Sequence, residues 1–174
     1  VVNFVENGVN YGHPSLSADG KKLYFSCNLP DGWGGFDIYV SERKGDNWES
    51  PKLLGRTINT AGNEKFPYID NDTLYFASDF HPGMGGLDIF RSHKMRNDRW
   101  SPVQNLRPPI NSGGDDFGLI IDKKAKRSGD LLQVGYFTST REAGIGNDDI
   151  YKFEKRPLPP PPPVPEEEKK PIVY

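Results

Sequence analysis

Three aspartates, Asp37, Asp88 and Asp149, close three copies of one short pattern. The copies read Gly32-Trp33-Gly34-Gly35-Phe36-Asp37-Ile38-Tyr39, Gly83-Met84-Gly85-Gly86-Leu87-Asp88-Ile89-Phe90 and Gly144-Ile145-Gly146-Asn147-Asp148-Asp149-Ile150-Tyr151. A carboxylate behind a Gly-rich loop suggests two kinds of chemistry. A calcium site needs about six to eight converging oxygens, and a phosphate cradle needs loop N–H groups backed by a helix N-terminus. Neither fits the spacing. Each aspartate lies twelve positions after an aromatic, Phe25, Phe76 or Phe137, so the acids occupy equivalent places in separate repeats and do not converge. The loops join two strands, and no helical pattern follows them. The expected role is structural. Each Asp shares a sheet face with the aromatic two residues on, and its carboxylate takes hydrogen bonds from the N–H groups of the loop before it. Gly35 and Gly86, with Gly34, Gly85 and Gly146, are expected as hairpin positions of positive φ.

The remaining reactive residues give no catalytic set. His13, His81 and His93 fall at unrelated repeat positions, which argues against a shared metal. Cys27 aligns with Ser78 and Ser139 and has no histidine placed to activate it. No Gly-x-Ser-x-Gly elbow occurs. The expectation is a protein without catalytic activity, cofactor or metal.

The elements that position these residues follow from the repeat. Pro14–Ser17 and Lys22–Cys27 read as strands around the turn Ala18-Asp19-Gly20-Lys21, followed by a strand Phe36–Ser41 and a fourth over Trp48–Leu54. The second unit repeats this, with Trp100 matching Trp48, Leu106 matching Leu54 and Ile110-Asn111 matching Ile58-Asn59. Trp48 and Trp100 are expected to pack between units. The third unit carries an insertion over 123–130 and stops after Phe153, before any Trp…Leu…Ile-Asn segment. The resulting organisation is 1–12 as the end of a preceding unit, then units over 13–63, 64–115 and 116–155. A Pro-rich extended linker follows over 156–174. Residues 1–10 are expected as an edge strand of a preceding unit, or as a strand that closes the ring. Four short strands per unit at this period indicate an all-β chain of about three antiparallel β-propeller blades, part of a six- or seven-bladed ring.

Composition supports that class. Aromatics make up 12% and the 174 residues include 19 Gly and 16 Pro, a mix that favours short strands and many turns. A net charge of −2 argues against a general nucleic-acid binder. The single cysteine precludes an internal disulfide, and no apolar run reaches membrane-spanning length. A start at Val1 without Met suggests a piece of a longer polypeptide.

The segment Pro14-Ser15-Leu16-Ser17-Ala18-Asp19-Gly20-Lys21-Lys22-Leu23-Tyr24-Phe25-Ser26 resembles the WD40-like PD repeat of TolB-type propellers. With Gly-Gly-Phe-Asp-Ile-Tyr and Trp…Leu-Gly…Ile-Asn-Thr added, residues 5–153 are similar to propellers of OmpA-family outer-membrane-associated proteins of Bacteroidota, including accessory proteins of type IX secretion. The resemblance implies a periplasmic, outer-membrane-associated scaffold with other envelope proteins as partners. Peptidoglycan contact is implied only through a domain not found in these residues. A glycan- or peptidoglycan-binding module and the propeller domain of a larger peptidase are the alternatives.

Two features depart from the repeat and are the candidate partner-binding places. One is the basic insertion with Lys123, Lys124, Lys126 and Arg127, which would steer an acidic partner. The other is the apolar loop tip at Trp33, whose sister positions are Met84 and Ile145. The insertion is preferred, because a longer loop without a packing role calls for another explanation. The two are expected at opposite ends of the sheets.

Overall fold

A computed structural model describes residues 2–126 and 128–158. The protein is all-β. Its strands form three antiparallel sheets, each built from consecutive strands. Sheet one holds β1 (Tyr11–Leu16), β2 (Lys22–Cys27), β3 (Asp37–Lys44), β4 (Asn47–Trp48) and β5 (Lys52–Leu53). Sheet two holds β6 (Glu64–Asp70), β7 (Thr73–Ser78), β8 (Asp88–His93) and β9 (Gln104–Asn105). Sheet three holds β10 (Asp116–Ile121), β11 (Gln133–Ser139) and β12 (Asp149–Lys155). The described residues contain one 3-10 turn, Arg96–Asp98, and no helix long and apolar enough to cross a membrane.

Alternation along each middle strand explains how the sheets stack. On β2, Tyr24 points toward sheet two and joins Ile38, Leu74, Phe76 and Phe90 in one core. Its neighbour Phe25 points the other way, against Tyr39 and the N-terminal residues Phe4, Val9 and Tyr11. On β7, Phe76 faces sheet one while Tyr75 faces sheet three, where Leu119, Ile121 and Phe137 meet it. Each sheet therefore buries both faces only by stacking between neighbours. Sheet three shows the consequence. Ile38 and Ile89 are fully buried, but Ile150, at the same repeat position, is 78% exposed.

Two sequence expectations are corrected here. Residues 2–10 form no strand. They lie as turns against the outer face of sheet one, with Phe4 stacked on Phe25 at 5.3 Å and the Asn3 amide hydrogen-bonded to the Trp48 backbone at 2.8 and 3.0 Å. The first strand starts at Tyr11, ahead of the expected Pro14. The fourth strands are also shorter than the span Trp48–Leu54 implied. Only two-residue pieces pair, because Pro51 and Pro102 have no N–H to donate to a ladder. Serine hydroxyls hold the interrupted segments instead: Ser41 Oγ donates to the Glu49 carbonyl at 2.5 Å, and Ser92 Oγ donates to that of Ser101 at 2.6 Å.

Candidate interaction surfaces

The repeated aspartates lie at the starts of β3, β8 and β12, one in each sheet. In every copy one carboxylate oxygen, Oδ2, accepts two N–H groups from its own loop. Asp37 takes those of Trp33 and Gly34 at 2.9 and 3.0 Å. Asp88 takes those of Met84 and Gly85 at 2.7 and 3.0 Å. Asp149 takes those of Ile145 and Gly146 at 2.7 and 2.9 Å. Asp37 and Asp88 are buried, and these charge-assisted bonds offset part of the lost hydration of the carboxylate, while Oδ1 of each has no hydrogen-bond partner among the described residues.

The loop glycines are required for a different reason than positive φ. None of Gly34, Gly35, Gly85, Gly86 and Gly146 lies in the left-handed region. A Cβ on Gly34 would instead collide with the Gly62 carbonyl oxygen, and one on Gly85 with that of Gly114. Gly35 and Gly86 similarly abut the side chains of Asn63 and Asp115. These side chains accept the N–H groups of Phe36 and Leu87 at 3.1 and 2.7 Å. The first two Gly-rich loops are thus pressed onto the connection that leads into the next sheet.

Trp33 lies on that surface, but it is not an isolated apolar tip. The Arg56 guanidinium stacks over its indole at 4.8 Å, and the side chain is 37% exposed. Such cation–π pairing holds the ring flat and leaves one face available. Trp100 packs edge-on to Tyr24 at 6.3 Å, between sheets one and two. Trp48 has other surroundings: it lies under Arg43 at 5.7 Å and beside Asn3.

The insertion lies at the opposite end, in the connection between β10 and β11. Two of its residues make surface ion pairs. Lys123 forms an ion pair with Asp70 of sheet two at 3.0 Å, which raises the lysine pKa, and Asp130 is bound by Arg156 beyond β12. Lys124 and Lys126 are exposed, and Arg127 lies outside the described residues. Ion pairs join the sheets elsewhere at this end too. Lys94 binds Asp98 at 2.6 Å, and Lys22 reaches the same carboxylate at 3.9 Å. The hydrogen bond between Lys94 and Asp98 raises the lysine pKa and lowers that of the carboxyl.

One constellation escaped the sequence reading. His13, Phe66 and Phe117 form an aromatic row across the first strands of the three sheets, with ring centroids 3.9 and 4.7 Å apart. His13 and Phe66 adopt φ of 53° and 54° at a bulge repeated in each sheet, where Gly118 takes φ 66° in the third. Positive φ at bulky residues is strained. Burial, followed by the charge of Lys65, lowers the His13 pKa and favours the neutral imidazole. The aligned pairs His13-Pro14 and Phe66-Pro67 were the available signal, but their bulge was not readable from periodicity.

No family model and no curated protein matches this chain.

Proposed function

We propose that the chain is a segment of a β-propeller, with blades corresponding to the three sheets of a six- or seven-bladed ring, and that it serves as a non-catalytic docking scaffold at the bacterial cell envelope. The observation that carries this reading is the equivalence of the sheets. Ile38, Ile89 and Ile150 share one repeat position, and the first two are buried by the sheet that follows. Stacking of this kind is propagated by repetition and builds rigid platforms whose loops are free to vary. The three acids at the loops bind backbone N–H groups within their own repeats, a structural use of residues that could otherwise suggest a reaction. Envelope location and the link to outer-membrane OmpA-family or type IX secretion proteins rest on the sequence resemblance.

The two ends offer different partners. Exposed Lys124 and Lys126 suit an acidic protein surface, with salt-sensitive association. Trp33 with Arg56 suits a hydrophobic or glycan ring, which keeps the glycan-binding alternative in view. The test is a pull-down from envelope extract with Lys124→Ser/Lys126→Ser beside Trp33→Ala. Lys123 is kept, because removing it would break the Asp70 ion pair. Loss of protein partners in the lysine variant supports the insertion as the docking end. Loss only in Trp33→Ala transfers the interface to the Gly-rich loops, and capture of muropeptides by that end would favour the glycan reading.

A further inference from the structure

Sheets one and two each carry a strand piece on their outer edge that sheet three lacks among the described residues. In sheet one, Tyr39 and Val40 pair with Leu53 and Lys52, and the Leu54 N–H donates to the Ile38 carbonyl at 3.0 Å. In sheet two, Phe90 and Arg91 pair with Asn105 and Gln104, and the Leu106 N–H donates to the Ile89 carbonyl at 3.1 Å. Each piece leads to an asparagine that brackets the same isoleucine. Asn59 Oδ1 accepts the Ile38 N–H at 2.8 Å, while its Nδ2 donates to the Ile38 carbonyl at 2.9 Å. Asn111 repeats both bonds to Ile89 at 2.8 and 2.9 Å. The corresponding positions on β12 are Ile150, Tyr151 and Lys152, and among the described residues β12 pairs with β11 alone.

The side chains follow the same logic. The segment at the edge of sheet two sends Trp100 and Val103 into the core between sheets one and two. The corresponding space between sheets two and three is an open groove of about 650 Å³, lined by Tyr75, Arg91, Leu106, Phe137, Tyr151 and Phe153. Tyr75 stands there as Tyr24 stands against Trp100.

We propose that the outer edge of β12 and this groove accept an extended segment of a partner protein by strand addition. The partner would present an aromatic side chain, then an apolar residue three positions on, then a Leu…Ile-Asn ending that could bracket Ile150. The chemistry of the occupant is read from the two segments that fill the equivalent slot in this molecule. Main-chain pairing supplies the general attraction, and the groove selects the aromatic. Phe153 replaces the serine that latches the segment in the other sheets, so the occupant is held without that hydroxyl bond. The inference rests on the scaffold reading only in that the ligand is a polypeptide. It does not depend on the envelope location or on either loop surface.

The probe is a synthetic peptide with the sequence of residues 99–112, labelled and titrated into the full chain. Saturable binding is expected, with at least about a tenfold loss when Trp100→Ala is made in the peptide. Register is read by disulfide trapping with Lys152→Cys in the protein, an exposed site whose substitution is checked by an unchanged melting curve. A peptide carrying Gln104→Cys should cross-link at least about ten times faster than peptides carrying Ser101→Cys or Arg107→Cys, which sit roughly 10 Å out of register. Equal trapping at all three positions, or no saturable binding, overturns the proposal. The envelope pull-down separates the two readings. If it succeeds while the peptide fails, only strand addition is wrong, and a peptide that binds without any envelope partner leaves strand addition standing alone.

Discussion

Gly135 and Phe153 face each other across β11 and β12, and the Phe153 ring fills the space that a side chain at position 135 would need. In the other sheets the same pair is Leu23 with Ser41 and Leu74 with Ser92. The bulk has moved from the middle strand to the outer one, placing an aromatic ring against the core between sheets two and three while removing the hydroxyl latch.

This exchange predicts coupled mutations. Phe153→Ser should cost about 1–2 kcal/mol through the lost packing of a half-buried ring, and Gly135→Leu about 1–3 kcal/mol through overpacking. The double variant should recover part of the loss, with a coupling energy of at least about 0.5 kcal/mol. Recovery stays partial because a side chain at 135 also meets the Ile120 carbonyl. Urea unfolding of the four proteins measures the cycle, and strict additivity would refute the exchange.

Asp88→Ala leaves the Met84 and Gly85 N–H groups without their acceptor and should destabilise by roughly 1–3 kcal/mol. Asp88→Asn should cost less, since an amide oxygen can accept both bonds. Added calcium or a chelator should leave the wild-type melting temperature unchanged. A calcium-dependent shift abolished by Asp88→Ala would instead make the loop an ion site.

Cys27 is fully buried, and burial pushes its thiol pKa up to about 12. At pH 8 the thiolate is then about one part in ten thousand, so thiol reagents should label it only through opening of sheet one. Labelling kinetics tracked against urea measure that opening, and rapid labelling of the native protein would contradict it. Cys27→Ser should not be neutral. Ser78 donates to buried Glu64 at 2.7 Å, but Tyr11 stands opposite Cys27 where Glu64 stands opposite Ser78. A serine hydroxyl there lacks that acceptor and should cost about 1–3 kcal/mol.

The Cys27 case shows where repetition informs and where it misleads. The first three strands of each unit, their order and the opposite ends of Trp33 and the insertion were legible because they depend on local alternation and turn residues. The need for glycine at 34 and 85 was assigned to the wrong cause, since close approach to Gly62 and Gly114 involves chain some thirty residues away. Lys123 looked available because its partner, Asp70, belongs to another sheet. Residues 2–10 were expected as a strand, yet they fold as turns onto Phe25, and residues 58–63, which precede Phe66-Pro67 as 5–10 precede His13-Pro14, form no strand either. Information that crosses between sheets is absent from spacing within one repeat.

Glu64 provides a pH test of such a cross-strand contact. It is fully buried at the start of β6 and accepts the Thr60 N–H at 2.8 Å and the Thr60 and Ser78 hydroxyls at 2.7 Å each. Burial outweighs these bonds and raises its pKa above the ordinary 4.5. A carboxyl with a raised folded pKa favours the fold most when protonated. Its contribution is fully present below the unfolded value and is lost as pH rises through the folded value. Glu64→Gln can keep an oxygen for the Thr60 N–H and donate its amide hydrogens to the Thr60 and Ser78 hydroxyls, but it does not titrate. The stability of wild type relative to Glu64→Gln should therefore fall as pH rises from the ordinary carboxyl range upward. Urea unfolding of both proteins across that range measures the difference, and a difference that grows with pH would show that the bonds from Thr60 and Ser78 outweigh burial.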